Sequence, residues 1–237
     1  MLTQNITPIG YISTPFTEKF GIPRQPAVAE DIEGTIQFTP EYCNPDFLRG
    51  IEQFSHLWLI FSFHQHLAHA PTPLVRPPRL GGNKKIGVFA SRSSFRPNHI
   101  GLSLVRYASH TYANGQLRLT VKDIDLLNQT PILDIKPYVA YSDKPTTAYS
   151  GYAETPPPQP LNITYTLAAQ HQLNQRREQY PQLAFILAKV LPADPRPAYK
   201  REHSDEKQYA LRLWDLDILW HVRDSAVVVE QIKKFED

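Results

Sequence analysis

The side chains best suited to bind an anionic group are concentrated in one stretch, residues 76–104. Glycine lets a backbone come close to a ligand and proline fixes the chain path, so the four glycines and three prolines of this stretch favour a binding loop. An arginine that follows an apolar strand, as Arg92 does, can donate paired hydrogen bonds to a carboxylate or phosphate. The fixed positive charges of the stretch are Arg76, Arg79, Lys84, Lys85, Arg92 and Arg96.

The basic stretch lies in a longer segment that has no acidic residue. Residues 53–122 contain nine Lys and Arg, six of the nine histidines, and neither Asp nor Glu. The formal net charge of +2 therefore combines a basic middle with an acidic remainder. Such asymmetry is typical of a surface that binds phosphates. On charge alone, a solvated surface with acidic neighbours from other segments explains it equally well.

Carboxylates reappear directly after this segment, at Asp123, Asp125 and Asp134. Asp125 and Asp134 flank a predicted turn and can therefore face one site. Lys136 and Tyr138 follow closely, and both can hold or release a proton. Turn capping and pairing with the arginines are equally compatible roles for the carboxylates.

The sequence does not favour a metal site. His64, His66 and His69 are close together, but no acidic residue lies near them and the only cysteine, Cys43, is distant. A single cysteine excludes an internal disulfide and favours a reducing compartment. We see no signal peptide, and the longest apolar run, residues 57–63, is too short to span a bilayer. We therefore expect a cytoplasmic protein without a membrane segment or a metal.

Short strands must position these residues. The Asn-Gly pair at 114–115 between two apolar runs predicts a hairpin, and the run 56–63, apolar on both faces, predicts a buried central strand. A short helix is predicted over residues 44–52. The predicted strands are 6–16, 34–38, 56–63, 86–91, 101–107, 116–121 and 132–135. Many short strands with frequent turns predict a β-barrel.

The pattern changes after residues 153–160, a proline-rich linker. Residues 163–179 are helix-prone, and Pro181 opens a second predicted helix with apolar residues at helical spacing. Three alternating segments, 209–213, 216–222 and 226–232, predict strands. The sequence thus predicts a mainly β protein, with a single-sheeted β-barrel domain over residues 1–152 and a small α+β domain over residues 161–237. No Gly-rich nucleotide fingerprint is present, so a doubly wound fold is disfavoured.

A series of ordered motifs runs through this predicted architecture. They are Pro23-Arg-Gln-Pro26, Phe54-Ser-His-Leu-Trp58, His64-Gln65, Arg76-Pro-Pro-Arg-Leu-Gly-Gly82, Gly87-Val-Phe-Ala90, Arg92-Ser93, Phe95-Arg-Pro-Asn98, Ile100-Gly101, Asp134-Ile-Lys-Pro-Tyr138 and Asp194-Pro-Arg-Pro197. Together they resemble the tRNA methyltransferases called TsaA-like or YaeB-like (TrmO), and the resemblance covers nearly the whole chain. The sequence departs from the family's pattern in two places: His99 replaces a usual proline, and Asn128-Gln129 replaces an acidic-glycine turn.

The resemblance implies a homodimeric β-barrel that binds S-adenosylmethionine and methylates the exocyclic nitrogen of threonylcarbamoyl-adenosine next to the anticodon of tRNA. The motif match implies cofactor contacts from Arg24, Gln25, Pro26, His64, Gln65, Arg92, Leu102, Asp123, Ile124, Asp125 and Leu126. Asp134, Lys136 and Tyr138 are our candidates to orient the acceptor nitrogen or take its proton. Our candidates for phosphate contacts are Lys84, Lys85, Arg76, Arg79 and Arg96.

Two other functions stay open at this point. One is a barrel that binds tRNA without catalysis, which predicts no binding of S-adenosylmethionine. The other is a methyltransferase that acts on a small metabolite, which predicts activity without tRNA and little dependence on salt.

Overall fold

The polypeptide forms a closed six-stranded barrel followed by a four-stranded sheet with helices packed on it. A computed structural model describes residues 5–23, 25–28, 30–155, 160–197, 200 and 205–235. The strands are β1 (Gly10–Ser13), β2 (Glu33–Phe38), β3 (His56–Ser62), β4 (Leu74–Val75), β5 (Ile86–Gly87), β6 (Ile100–Ala113), β7 (Gln116–Lys122), β8 (Thr130–Pro137), β9 (Asn162–Tyr165), β10 (Asp205–Leu213), β11 (Leu216–Arg223) and β12 (Ala226–Lys234). The α-helices are α1 (Ala140–Asp143), α2 (Leu167–Gln175) and α3 (Leu183–Val190).

The barrel is a single antiparallel sheet in the order β1-β2-β7-β6-β3-β8, in which β8 pairs with β1 to close it. A separate hairpin joins β4 to β5, and the second sheet has the order β10-β11-β12-β9. The predicted fold class, a mainly β protein with a single-sheeted barrel and an α+β region after it, is confirmed.

The interior of the barrel is filled from one face of each strand. In β3, Leu57, Leu59 and Phe61 are buried, whereas Trp58 and Ile60 between them are half-buried on the outer face. The prediction that this strand is buried on both faces is wrong. A sheet closed on itself has one interior face, and large apolar side chains on the outer face of β3 conceal the alternation in the sequence.

Glycine allows a close approach between β6 and β3. Gly101 pairs with Phe61 across the two strands, and a Cβ atom at Gly101 would lie 2.2 Å from Cζ of the Phe61 ring. Glycine at this position therefore leaves room for the Phe61 ring at the end of the barrel.

Two predicted elements are replaced by 3-10 turns. The predicted helix over residues 44–52 is divided into the turns Pro45–Leu48 and Ile51–Gln53, because Gly50 between them has a left-handed backbone with φ of 87°. The predicted strand 86–91 is only the short β5, followed directly by the turn Val88–Ala90. The helix prediction is therefore wrong in element type, and the strand prediction is wrong in its extent.

The second sheet begins earlier than predicted. β9 pairs in parallel with β12, and Thr166 then caps α2 by accepting a hydrogen bond from the Ala169 N–H at 3.1 Å. The helix predicted over residues 163–179 is present but shorter, as α2, because the β-branched Ile163 and Thr164 join the sheet instead.

The segment after β1 connects the barrel with the second sheet. Phe16 is fully buried, and the Trp214 N–H donates to the Pro15 carbonyl at 2.8 Å. The Phe20 ring is stacked 6.4 Å from that of Trp220. The buried side chains of the barrel and of the second sheet form one continuous cluster. The division into domains at residues 152 and 161 stays a prediction, and residues 156–159 of the predicted linker lie outside the described residues.

Candidate functional site

A cavity of about 360 Å³ opens beside the end of β3. Its wall combines the segment around Lys19, the turn after β3, the loop around Arg92 and the loop after β7. Volumes of about 300–1,000 Å³ are typical of pockets for small ligands. The predicted cofactor contacts that line the cavity are His64, Gln65, Arg92, Asp125 and Leu126.

Asp125 is the acidic group of this wall. Ser103 Oγ donates a hydrogen bond to Asp125 Oδ1 at 2.5 Å. Burial raises the pKa of Asp125 to about 6, against the opposing effects of the Ser103 hydrogen bond and the Arg92 charge. A carboxylate held this way is costly to keep ionised unless a cation approaches it, so Asp125 is suited to bind a positively charged ligand group.

Arg92 contributes a positive charge to the same cavity wall. Its Nη1 donates to Gln25 Oε1 at 2.6 Å, which joins the loop around Arg92 to the segment after Pro23. The remaining guanidinium N–H groups can donate to a ligand carboxylate or phosphate. Pro26 begins the turn Pro26–Val28, which lies against β6. Arg24 lies outside the described residues.

The histidines of the cavity are neutral hydrogen-bonding groups near pH 7. Burial lowers the pKa of His64 and of His66, and the charge of Lys19 lowers both further. His66 Nε2 lies 3.2 Å from Ser94 Oγ, and its ring meets that of Phe95 edge-on at 4.9 Å. Neutral imidazoles can donate to or accept from a ligand without adding charge to the wall.

The loop that carries Asp125 is held by an ion-pair network. Arg106 Nε lies 2.5 Å from Asp123 Oδ2, and its Nη2 lies 2.6 Å from Asp31 Oδ1. The Asp31 N–H also donates to Asp123 Oδ1 at 2.8 Å. Asp123 therefore has the arginine-pairing role that the sequence left open. Ile124, the next predicted contact, is buried in the core and does not line the cavity.

Four predicted residues lie together on the outer face of the barrel instead of in the cavity. Cross-strand pairing puts Leu102 and Asp134 on either side of Ile60, and Lys136 opposite Trp58. Lys136 Nζ lies 3.3 Å from Asp134 Oδ2 in an exposed ion pair. Tyr138 follows, with its ring 6.2 Å from that of Trp58. None of these residues lines the cavity of its own chain.

The predicted phosphate contacts have two kinds of environment. Arg76, Lys84 and Lys85 are exposed on the connection between β4 and β5. Arg79 is engaged with the chain after the barrel, because its Nη1 donates to the Ala153 carbonyl at 3.1 Å and its Nη2 donates to the Thr155 carbonyl. Arg96 donates to two carbonyls of its own loop, those of Ser91 and Ser93, both at 3.2 Å.

Sequence reasoning did not find part of the wall. Ser103, which donates to Asp125 and does not itself line the cavity, was detectable, because it is a buried polar residue between Leu102 and Leu104 of an apolar strand. The wall residues that were missed have no recognisable sequence pattern, because they come together only where distant parts of the chain meet. The remaining wall residues are Lys19, Ile22, Phe61, Ser62, Phe63, His66, Ser94, Leu127 and Thr130.

Within the described part of the chain, no three His, Cys, Asp or Glu side chains come together as a metal site. The helices of that part include none that is both long and apolar enough to cross a bilayer.

Comparison with known proteins identifies the family. Residues 11–144 match the tRNA-methyltransferase O N-terminal domain, and residues 158–235 match the TrmO C-terminal domain. The chain belongs to the TrmO family. A TrmO structure from Pseudomonas aeruginosa superposes with a TM-score of 0.80 at 37% identity, covering 98% of this chain and 99% of that one.

Two curated relatives match this chain over most of their length. A putative S-adenosylmethionine-dependent methyltransferase RcsF from Pseudomonas aeruginosa is 45% identical over 93% of each chain. The tRNA (adenine(37)-N6)-methyltransferase of Escherichia coli is 40% identical over 93% of this chain and 94% of its own. The resemblance drawn from the motifs is thereby confirmed.

Proposed function

We propose that this protein is an S-adenosylmethionine-dependent tRNA methyltransferase that methylates the exocyclic nitrogen of threonylcarbamoyl-adenosine next to the anticodon. The observation that carries the proposal is that one carboxyl group, Asp125, and one guanidinium, Arg92, line the same apolar-walled cavity. The family membership and the names of two curated relatives, an S-adenosylmethionine-dependent methyltransferase and a tRNA adenine-N6 methyltransferase, support the same reaction.

The cavity fits the cofactor in kind. S-adenosylmethionine supplies an electrophilic methyl group on a sulfonium, together with an amino-acid end that carries both charges. Arg92 can hold the carboxylate of that end, and Asp125 can balance a cationic group. Phe63, Leu126 and Leu127 provide apolar surface for a planar base. Neutral His64 supplies a hydrogen bond without disturbing this charge balance.

Catalysis by these residues is chiefly a matter of positioning. Holding two reactants in line supplies about 7–11 kcal/mol, and the transfer needs no covalent bond to the protein. The acceptor nitrogen is a weak nucleophile because its lone pair is delocalised into the purine and the carbamoyl group. It must also lose its proton. We assign the orientation of this nitrogen, or acceptance of its proton, to the group Asp134, Lys136 and Tyr138.

A homodimer joins the two regions in this proposal. Asp134, Lys136 and Leu102 do not line the cavity of their own chain. A two-fold axis that brings the outer face of one barrel against the cavity of a second copy supplies these groups. The partially apolar outer face, with Ile60 and Leu102 side by side, suits such a contact. A tRNA substrate makes the cytoplasm the expected location.

Mass spectrometry of nucleosides tests the proposal directly. Incubating the protein with S-adenosylmethionine and tRNA that carries threonylcarbamoyl-adenosine should add one methyl group to that nucleoside. Matched tRNA without the threonylcarbamoyl group is the control and should stay unmethylated. Binding of tRNA without methyl transfer would support the non-catalytic barrel, and methylation of a small molecule without tRNA would support the metabolite enzyme.

A further inference from the structure

Phe89 is a large apolar side chain whose backbone is fixed while its ring stands in solvent. The ring-bearing residue is 78% exposed, in the middle of the turn Val88–Ala90. Val88 beside it is buried, and its N–H donates to the Pro73 carbonyl at 3.0 Å. Ser91 Oγ donates to the Val88 carbonyl at 2.8 Å on the other side. The ring is therefore presented by an anchored turn.

The ring of Phe89 also differs from its aromatic neighbour in the same loop region. Phe95 packs edge-on against His66 at 4.9 Å and His69 at 5.9 Å. Among the described aromatic side chains, none makes a ring contact with Phe89. The faces of the Phe89 ring are accordingly available to a planar group from outside the chain.

The hairpin that leads to Phe89 carries cationic side chains. Leu74 pairs with Gly87 and Val75 with Ile86, so Arg76 directly after Val75 and Lys85 directly before Ile86 lie at the turn end of the hairpin. Both side chains are exposed. No acidic residue occurs anywhere between residues 53 and 122 to neutralise them by local pairing. Three residues after Phe89, Arg92 lines the cavity.

We propose that Phe89 is a stacking platform for an unpaired base of the RNA substrate, with Arg76 and Lys85 holding the adjacent phosphates. This inference rests on the proposed function. Bases in RNA loops are recognised by splaying them onto aromatic side chains while cations contact the backbone. An anticodon loop supplies such bases, and Phe89 stands between the phosphate-binding hairpin and the cavity loop in the sequence. An exposed cationic surface favours RNA over an apolar protein partner.

A substitution series tests the platform. Phe89→Ala should weaken binding of an anticodon-arm hairpin RNA about 5- to 150-fold, which is the loss expected for one stacked base. Phe89→Tyr keeps a stackable ring and should retain affinity within about twofold. Phe47→Ala removes a phenylalanine that is 62% exposed outside the basic segment, and it should leave RNA affinity unchanged. The salt dependence of binding should be the same in all variants, because stacking releases no counterions.

Abasic substitutions in the RNA loop identify the stacked base. At one loop position, removing the base should weaken wild-type binding and leave Phe89→Ala unaffected, because the two changes remove the same contact. The full chain is used throughout, with S-adenosylmethionine affinity and circular dichroism as checks of folding.

Three results would overturn the inference. A folded Phe89→Ala variant with wild-type RNA affinity excludes stacking. If the loss of affinity in Phe89→Ala adds to the loss at every abasic position, a direct contact between the ring and a base is excluded. A change in oligomeric state, measured by light scattering, makes Phe89 a subunit contact. If wild-type protein methylates tRNA while these results hold, only the role of Phe89 fails. If wild-type protein neither binds nor methylates tRNA, the proposed function and the platform fail together.

Discussion

Alternate residues of β3 serve two regions of different character, the cavity and the outer face of the barrel. Phe61 faces the cavity, whose wall includes Asp125 with a raised pKa. Ile60, one residue earlier, lies on the outer face between Leu102 and Asp134. The cavity combines apolar walls with a few buried polar groups, whereas the outer face carries an ion pair open to solvent.

The difference indicates which region one chain completes by itself. Asp134 and Lys136 retain 51% and 63% side-chain exposure, and water screens charges in such a position. Groups that move a proton during a reaction work best where water is excluded. In the proposed function, the cavity of one chain binds the cofactor, and the outer face becomes a reactive environment when another molecule covers it.

The largest expected effect comes from the outer face. Asp134→Asn should lower kcat for tRNA methylation by about 100-fold or more, because general acid–base groups contribute about 10²–10⁴. The affinity for S-adenosylmethionine should not change. Steady-state kinetics and calorimetry on the same protein separate the two quantities. Asp224→Asn, at an exposed turn of the second sheet, is the matched control. Equal losses of kcat in both variants would remove Asp134 from the reaction.

Replacing Arg92 should have the next largest effect, and this effect should be on the affinity for S-adenosylmethionine. Arg92→Ala should weaken binding of S-adenosylmethionine about ten- to hundredfold, which corresponds to the loss of a charge-assisted hydrogen bond of about 1.5–3 kcal/mol. Calorimetry measures the change, and Arg118→Ala on the exposed face of β7 controls for loss of positive charge. Unchanged affinity in folded Arg92→Ala would mean that the cavity does not hold the cofactor through this arginine.

The pH dependence of cofactor binding tests Asp125. Burial raises its pKa to about 6, so below that pH the carboxyl group is protonated and cannot balance a ligand cation. Affinity for S-adenosylmethionine should therefore fall as pH decreases through 6, by up to about tenfold per unit. The Asp125→Asn variant should bind S-adenosylmethionine weakly, with an affinity that is almost independent of pH over this range. A wild-type titration that is flat between about pH 5 and 7 would contradict the assignment.

The fold was largely predictable because its signals are local. The Asn-Gly turn at residues 114–115 and the alternating segments give the β6–β7 hairpin directly. The outer face of β3 was mistaken for a second buried face, because Trp58 and Ile60 are apolar. In the structure these two side chains are only half-buried. The residue pattern of a single strand does not reveal which of its two faces points into the barrel.

Two charged residues of the site were predictable from the sequence, whereas most of its wall was not. Arg92 and Asp125 belong to motifs that the sequence displays, and both line the cavity. Lys19 and Thr130 do so only because separate loops meet, which is a long-range property. Asp123, from the same predicted set as Asp125, is turned to Arg106 instead. Neighbouring residues in one short motif therefore have different roles that depend on tertiary contacts.

The smallest effect is expected at the hairpin of β4 and β5. Replacing Lys84 and Lys85 together by Ala should flatten the slope of log tRNA affinity against log salt by about one to two units, because each phosphate contact contributes about −0.7 to −0.9. The wild-type slope should be about −2 to −4. Cofactor affinity should stay nearly unchanged. Binding titrations over a salt series give both slopes, and identical slopes would exclude these lysines from the RNA surface.

A subunit-mixing experiment tests most directly the claim that the cavity of one chain and the outer face of another form one site. At an S-adenosylmethionine concentration that saturates wild type but lies well below the Kd of Arg92→Ala, Arg92→Ala protein and Asp134→Ala protein should each be nearly inactive alone. After mixing and re-equilibration, mixed dimers should contain one intact site, and about a quarter of wild-type tRNA methylation should return, because half of the dimers are mixed. No recovery, with mixed dimers demonstrated by mass spectrometry, would show that each site is built within one chain.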